Sequence, residues 1–114
     1  MLELDQDGYP TPETLRIITE WPFKTFSDYD RLLEEIEQVW RWHDYFKRGP
    51  LRKPRFPGAK DRRRTWKVST GGWSGHEDMI AALQDNHMFW AICWLSSRRG
   101  GHYEFETRED AKTA

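Results

Sequence analysis

Two glycine-rich words, Thr70-Gly71-Gly72-Trp73-Ser74-Gly75-His76-Glu77 and Ser96-Ser97-Arg98-Arg99-Gly100-Gly101-His102-Tyr103, bracket a stretch patterned as a helix and then a strand. That order restricts the topology. With a strand at 65–70 running up and a helix at 75–86 returning, a right-handed crossover sets a strand at 88–96 parallel to the first. Both words then fall at the carboxyl ends of strands, the edge where α/β units place ligands.

The local signals around this unit are of ordinary type. Trp66 and Val68 alternate with Thr65, Lys67 and Ser69, as expected of a half-buried strand. Ser74 with Glu77 fits a capping box, and Met79, Ile80 and Leu83 give the following helix its apolar stripe. Met88 to Leu95 is apolar on both alternations, which reads as a strand covered on both faces. The second word turns into Tyr103-Glu104-Phe105-Glu106, read as an edge strand with its acids outward.

Two helices precede the unit. Thr11-Pro12-Glu13 is an N-cap, a first-turn proline and an early acid, predicting a helix over 12–20 closed by Pro22. Tyr29, Leu32, Leu33, Ile36, Val39, Trp40, His43 and Phe46 recur at helical spacing after Ser27, predicting a helix over 27–47 ended by Gly49-Pro50. On this pattern His43 lies on the core stripe. Residues 48–64 read as a basic loop broken by Pro50, Pro54 and Pro57, and 107–114 as a frayed tail.

The expected fold is therefore α+β: two N-terminal helices plus a βαββ unit (65–106) with a small three-stranded mixed sheet covered by helices. A chain of 114 residues fits a single domain, residues 1–114. Seven Trp, six Phe and four Tyr supply the core that a mean hydropathy of -0.94 would otherwise deny it. The one cysteine, Cys93, rules out an internal disulfide and sits in an apolar run, so a buried thiol is expected. No stretch approaches the ~18 apolar residues of a membrane span, and no charged start leads into an apolar run, so a cytoplasmic protein without membrane contact is expected.

Charge is segregated along the chain. The net charge of -1 is made of -7 over residues 1–46, +9 over 47–67 and -3 over 68–114. Arg52, Lys53, Arg55, Lys60, Arg62, Arg63 and Arg64, threaded by Phe56 and Trp66, could contact the phosphates of a nucleic acid. The same charges could instead neutralise the acidic outer face of the second helix.

At the glycine words, backbone N–H groups at a helix start and two guanidiniums converge on an anion-friendly edge. Its candidate residues are Gly71, Gly72, Trp73, Ser74, Gly75, His76, Arg98, Arg99 and His102. Named chemistries fail there. Gly72-Trp73-Ser74-Gly75-His76 misplaces the last glycine of a nucleophile elbow, G-x-G-x-x-G is absent, and no phosphate-loop lysine follows. Four histidines and one cysteine show no paired-ligand spacing, so no catalytic residue, metal or cofactor is assigned.

The words Ser69-Thr70-Gly71-Gly72-Trp73-Ser74-Gly75, Asp85-Asn86-His87-Met88-Phe89-Trp90 and Trp94-Leu95-Ser96-Ser97-Arg98-Arg99-Gly100-Gly101-His102-Tyr103-Glu104-Phe105-Glu106 resemble small proteins of tailed bacteriophages and prophages, of the actinobacteriophage type. The resemblance covers about the last 40 residues. It carries no agreed activity and transfers no catalytic residue. What it implies is a phage accessory product in the cytoplasm of a bacterial host, binding a host or defence protein without enzymatic activity. Nucleic-acid binding through 47–67 is the alternative, a phosphate-containing small ligand at the glycine-rich loop the third, and self-association into a homodimer is open.

Overall fold

Thr11 opens the first helix in the expected manner, its hydroxyl accepting from the Thr14 amide at 3.1 Å with Pro12 in the first turn. The computed structural model describes residues 2–53, 57–58 and 61–109. In order they form α1 (Pro12–Thr19), α2 (Ser27–Val39), a 3-10 turn (His43–Tyr45), β1 (Phe46–Arg48), β2 (Arg62–Ser69), α3 (Ser74–Asp85), α4 (His87–Cys93), β3 (Trp94–Arg98) and β4 (His102–Glu109).

The second helix is shorter than its periodicity predicts. Trp40 leaves the helix in an extended conformation (φ -73°, ψ 123°), and its buried indole donates to the Ser69 carbonyl at 3.2 Å. The chain then reverses so that Phe46 packs edge-on against Trp40 at 5.2 Å and enters the sheet opposite Val68. Phe46 keeps its core position by becoming a strand residue. His43 does not: it stands exposed in the 3-10 turn. At the start of α2 no side chain caps the helix, and Asp28 reaches back to the Lys24 and Thr25 amides at 2.8 and 2.9 Å.

The Met88–Leu95 run is another departure. Residues 87–93 are helical, with Phe89 and Cys93 buried one turn apart, and only Trp94 onward is strand. A short run apolar on both alternations fits a buried helix as well as a strand, and Asn86 decides the matter. Its carbonyl oxygen accepts from the Phe89 amide at 3.2 Å while its amide donates to the carbonyls of Ile18 (3.1 Å) and Trp21 (3.3 Å). The capping group of α4 is thereby tied to the end of α1.

The sheet has four strands in the order β1-β2-β4-β3, and every neighbouring pair is antiparallel. The expected three-stranded mixed sheet is thus corrected. β2 and β3 do run in one direction, but β4 lies between them, so they never pair. β4 is an interior strand reaching Glu109, which puts 107–109 of the expected tail in the sheet; residues 110–114 lie outside the described set. The basic segment also loses both ends to the sheet, since Lys47 and Arg48 belong to β1 and Arg62 to Arg64 to β2. Register places Arg64, Trp66 and Val68 beside Thr107, Phe105 and Tyr103 on the face covered by helices. Arg63, Thr65, Lys67 and Ser69, with Glu106, Glu104 and His102, occupy the opposite, polar face.

The core joins α2 (Tyr29, Leu32, Leu33, Ile36) and α3 (Met79, Ile80, Leu83) to Trp66, Val68 and Phe105 of the sheet and to Phe89 of α4. Cys93 is buried beside them, and burial pushes its thiol pKa up to about 12. Between α2 and the sheet runs a polar chain. The Trp66 indole donates to Thr107 Oγ1 at 2.8 Å, Thr107 donates to Asp30 Oδ1 at 2.7 Å, and Arg64 lies 3.4 Å from Asp30 Oδ2. Burial, then the neighbouring Asp30 carboxylate, holds Glu34 above its ordinary pKa at this junction. Among the described residues no helix is long and apolar enough to cross a membrane.

Candidate protein-binding edge

The turn after β2 is where the two glycine words meet. The Thr70 amide donates to the Gly101 carbonyl at 3.0 Å, and Ser69 Oγ lies 2.7 Å from His102 Nδ1. Gly71 (φ 63°) and Gly101 (φ 80°) supply left-handed backbone at this junction. The expectation that both words share one end of the sheet is met, although by antiparallel pairing through β4.

His76, placed at that edge by sequence, is instead fully buried. Its ring stacks on Trp40 at 4.0 Å and 5°, while Trp73 and Trp42 approach edge-on at 4.5 and 5.3 Å. Nδ1 lies 2.9 Å from the Thr70 carbonyl oxygen, which can only accept, so Nδ1 carries the proton. Nε2 must then accept, and it does so from the Arg41 amide at 2.9 Å. Burial, first of all, and the Arg41 charge hold the ring below the ordinary imidazole pKa, against the opposite pull of the Thr70 carbonyl. His76 is a neutral two-sided tie between α3, the β2 turn and the end of α2.

Trp73 is only partly exposed. Its indole lies over Gly75, where a Cβ would clash with the ring, and meets Tyr9 at 4.9 Å with a 42° tilt. The Arg41 guanidinium sits 5.1 Å from its centroid. This ring covers the first turn of α3, and Trp73 rather than Ser74 is the N-cap residue, with no side chain capping. The predicted capping box does not form. Ser74 and Gly72 are exposed, and Gly72 donates to Thr70 Oγ1 at 3.2 Å. With an indole on its opening turn, α3 presents no open phosphate cradle.

Two residues that sequence reading passed over complete the edge. Trp42 (40% exposed) and Tyr45 (45%) meet at 5.7 Å and 75° and rest on Gly71, where a Cβ would come within 2.5 Å of the Trp42 ring. With His43 and Asp44 they line an open recess of about 440 Å³. The available signal was their place off the apolar stripe of the predicted 27–47 helix, where large rings have no reason to face solvent. Arg98 and Arg99 are exposed at the adjoining hairpin, and no ion pair to either is found among the described residues.

The basic residues divide differently. Arg64 pairs with Asp30 and Glu34, Arg48 with Glu37, Arg63 with Glu106 at 2.8 Å and Arg62 with Glu109 at 2.6 Å. The Arg63 and Arg64 side chains are only 14% and 12% exposed, so neither is free to reach a phosphate. Arg48 and Arg64 also flank the Trp66 ring at 5.3 and 5.6 Å, which removes it as a stacking platform. Arg48 and Arg64 thus pair with carboxylates of α2, while Arg62 and Arg63 pair across the sheet with β4. Arg52 and Lys53 are exposed, with Arg52 bridged to Arg63 through the backbone, and Arg55 and Lys60 lie outside the described residues.

Catalytic arrangements are weak at this end. The Ser69–His102 pair stands exposed on the polar sheet face beside a recess of about 70 Å³, and no carboxylate is hydrogen-bonded to the imidazole among the described residues. A larger recess of about 490 Å³ between α1 and α2 is lined by Ile17, Trp21 and Pro22 with Glu35 and the ion pairs Arg16–Glu20 and Arg31–Asp28. Among the described residues no cluster of three metal-ligating side chains occurs. No family model, curated protein or solved structure matches this chain.

Proposed function

We propose that this protein is a non-enzymatic binding module, a small phage accessory product that engages a bacterial host or defence protein in the host cytoplasm. The observation that carries the reading is the Trp42–Tyr45 pair. Two large rings stand about two-fifths exposed on a backbone that has room for them only because residue 71 is glycine. Buried Trp40 and His76, the latter accepting from the Arg41 amide, fix the chain just before the pair and buried Phe46 fixes it just after, so the rings are presented by a rigid frame. Rigid exposed aromatics and arginines are the residue types that dominate protein interfaces. Arg98 and Arg99 on the adjoining hairpin supply charge for carboxylates on the partner.

Capture from bacterial lysate tests this, followed by titration of the purified partner against wild type and a Trp42→Ala/Tyr45→Ala variant. The expected result is one partner retained by wild type and bound at least about tenfold more weakly by the variant at unchanged melting temperature. Equal affinity for both proteins would remove this edge as the interface.

A further inference from the structure

We infer that the recess between Trp42 and Tyr45 takes a lysine-type ammonium, free or methylated, from the partner protein. This rests on the binding reading above and names what fills the site. The chemistry of the lining carries it. The two rings meet edge to face at 5.7 Å and 75° and both line the recess, so an incoming group borders two aromatic side chains. The lining holds the carboxylate of Asp44 and the imidazole of His43, and among the described residues no lysine or arginine lines the recess. Ring faces carry negative quadrupole charge and attract cations, and a carboxylate adds to that preference. An anion would meet repulsion from both.

A second observation points the same way. The adjoining ring of the cluster, Trp73, 6.4 Å from Trp42, already holds a cation, the Arg41 guanidinium at 5.1 Å. Trp42 has no such internal partner among the described residues and remains 40% exposed. The interface is therefore bipolar: the recess receives a cation while Arg98 and Arg99 receive carboxylates. Such a pattern fixes the orientation of a partner and penalises its reversal.

NMR titration at pH 8, following the Trp42 and Trp73 indole resonances, tests this with three probes: Nα-acetyl-lysine methylamide, its Nζ-trimethyl form and the neutral Nα-acetyl-norleucine methylamide. A lysine probe is expected to shift Trp42 saturably in the millimolar range, with norleucine at least about tenfold weaker. Asp44→Asn should weaken the lysine probe by about threefold or more, and Trp42→Ala should abolish saturable binding. Tighter binding of the trimethyl form assigns the source to a methylated lysine; tighter binding of the free amine assigns it to an unmodified one. Equal binding of norleucine, or no saturable shift with any probe, overturns the inference. The binding surface itself is read separately, by partner affinity of the Trp42→Ala/Tyr45→Ala variant, so the surface can stand where the cation falls.

Discussion

His76 shows how a single side chain can be misread from its neighbours in sequence. It lies among glycines and a serine, a composition that suggests a solvent-facing loop, yet it is buried with both ring nitrogens bonded to backbone. The partner that fixes it, the Arg41 amide, is 35 positions away, beyond the reach of any local pattern. Replacing it with Phe keeps a ring against Trp40 but strands the Arg41 amide and leaves the Thr70 carbonyl with the Trp73 amide as its donor. That should cost about 1–3 kcal/mol in chemical denaturation. The pH dependence follows from the same bonds. With the folded pKa depressed, the unfolded chain binds more protons below about pH 6.5, so this contribution is full above that value and is lost as pH falls through it. Denaturation midpoints of wild type minus His76→Phe, measured from pH 7.5 to 5, should fall; a flat difference would contradict the depressed folded pKa. Gly71→Ala acts at the same scale. It forces a methyl into the Trp42 ring at φ 63°, should cost about 1–3 kcal/mol, and should change the Trp42 indole shift.

At the scale of elements, the sequence was legible where one local rule decided the outcome. Thr11-Pro12 started α1, the stripe from Tyr29 to Ile36 built α2, and the Trp66–Val68 alternation made β2. It misled where a tertiary contact overrode the pattern. The α2 periodicity continues through His43 and Phe46, but the Trp40 bond to Ser69 ends the helix early. The Met88–Leu95 run carried no periodicity able to separate helix from strand, and Asn86 settled it through α1. The arginine run of β2 looked like a phosphate-binding loop because sequence could not show that Asp30 and Glu34 face it. That pairing makes a prediction for the element. Asp30→Ala removes the nearer carboxylate of Arg64 and the acceptor of the Thr107 hydroxyl and should cost about 3 kcal/mol in chemical denaturation. Filter binding with single-stranded and duplex DNA at about 0.15 M salt should show no retention that depends on Arg63 or Arg64. Retention lost on Arg64→Ala with unchanged stability would restore the nucleic-acid reading.

At the scale of the molecule, crossover logic brought the two glycine words to one end of the sheet although it mispaired the strands. Direction was enough for that conclusion, because β2 and β3 point the same way whether or not β4 lies between them. Register was needed for the rest: it separates the helix-covered face from the polar one and leaves the Trp42–Tyr45 edge and the Arg98–Arg99 hairpin as the exposed features of that end. The most direct measurement is the affinity of the purified partner for wild type, Trp42→Ala/Tyr45→Ala and Arg52→Ala/Lys53→Ala, each checked for unchanged melting temperature. The binding account predicts a loss of about tenfold or more for the aromatic pair and little change for the Arg52/Lys53 pair. The reverse order would contradict it.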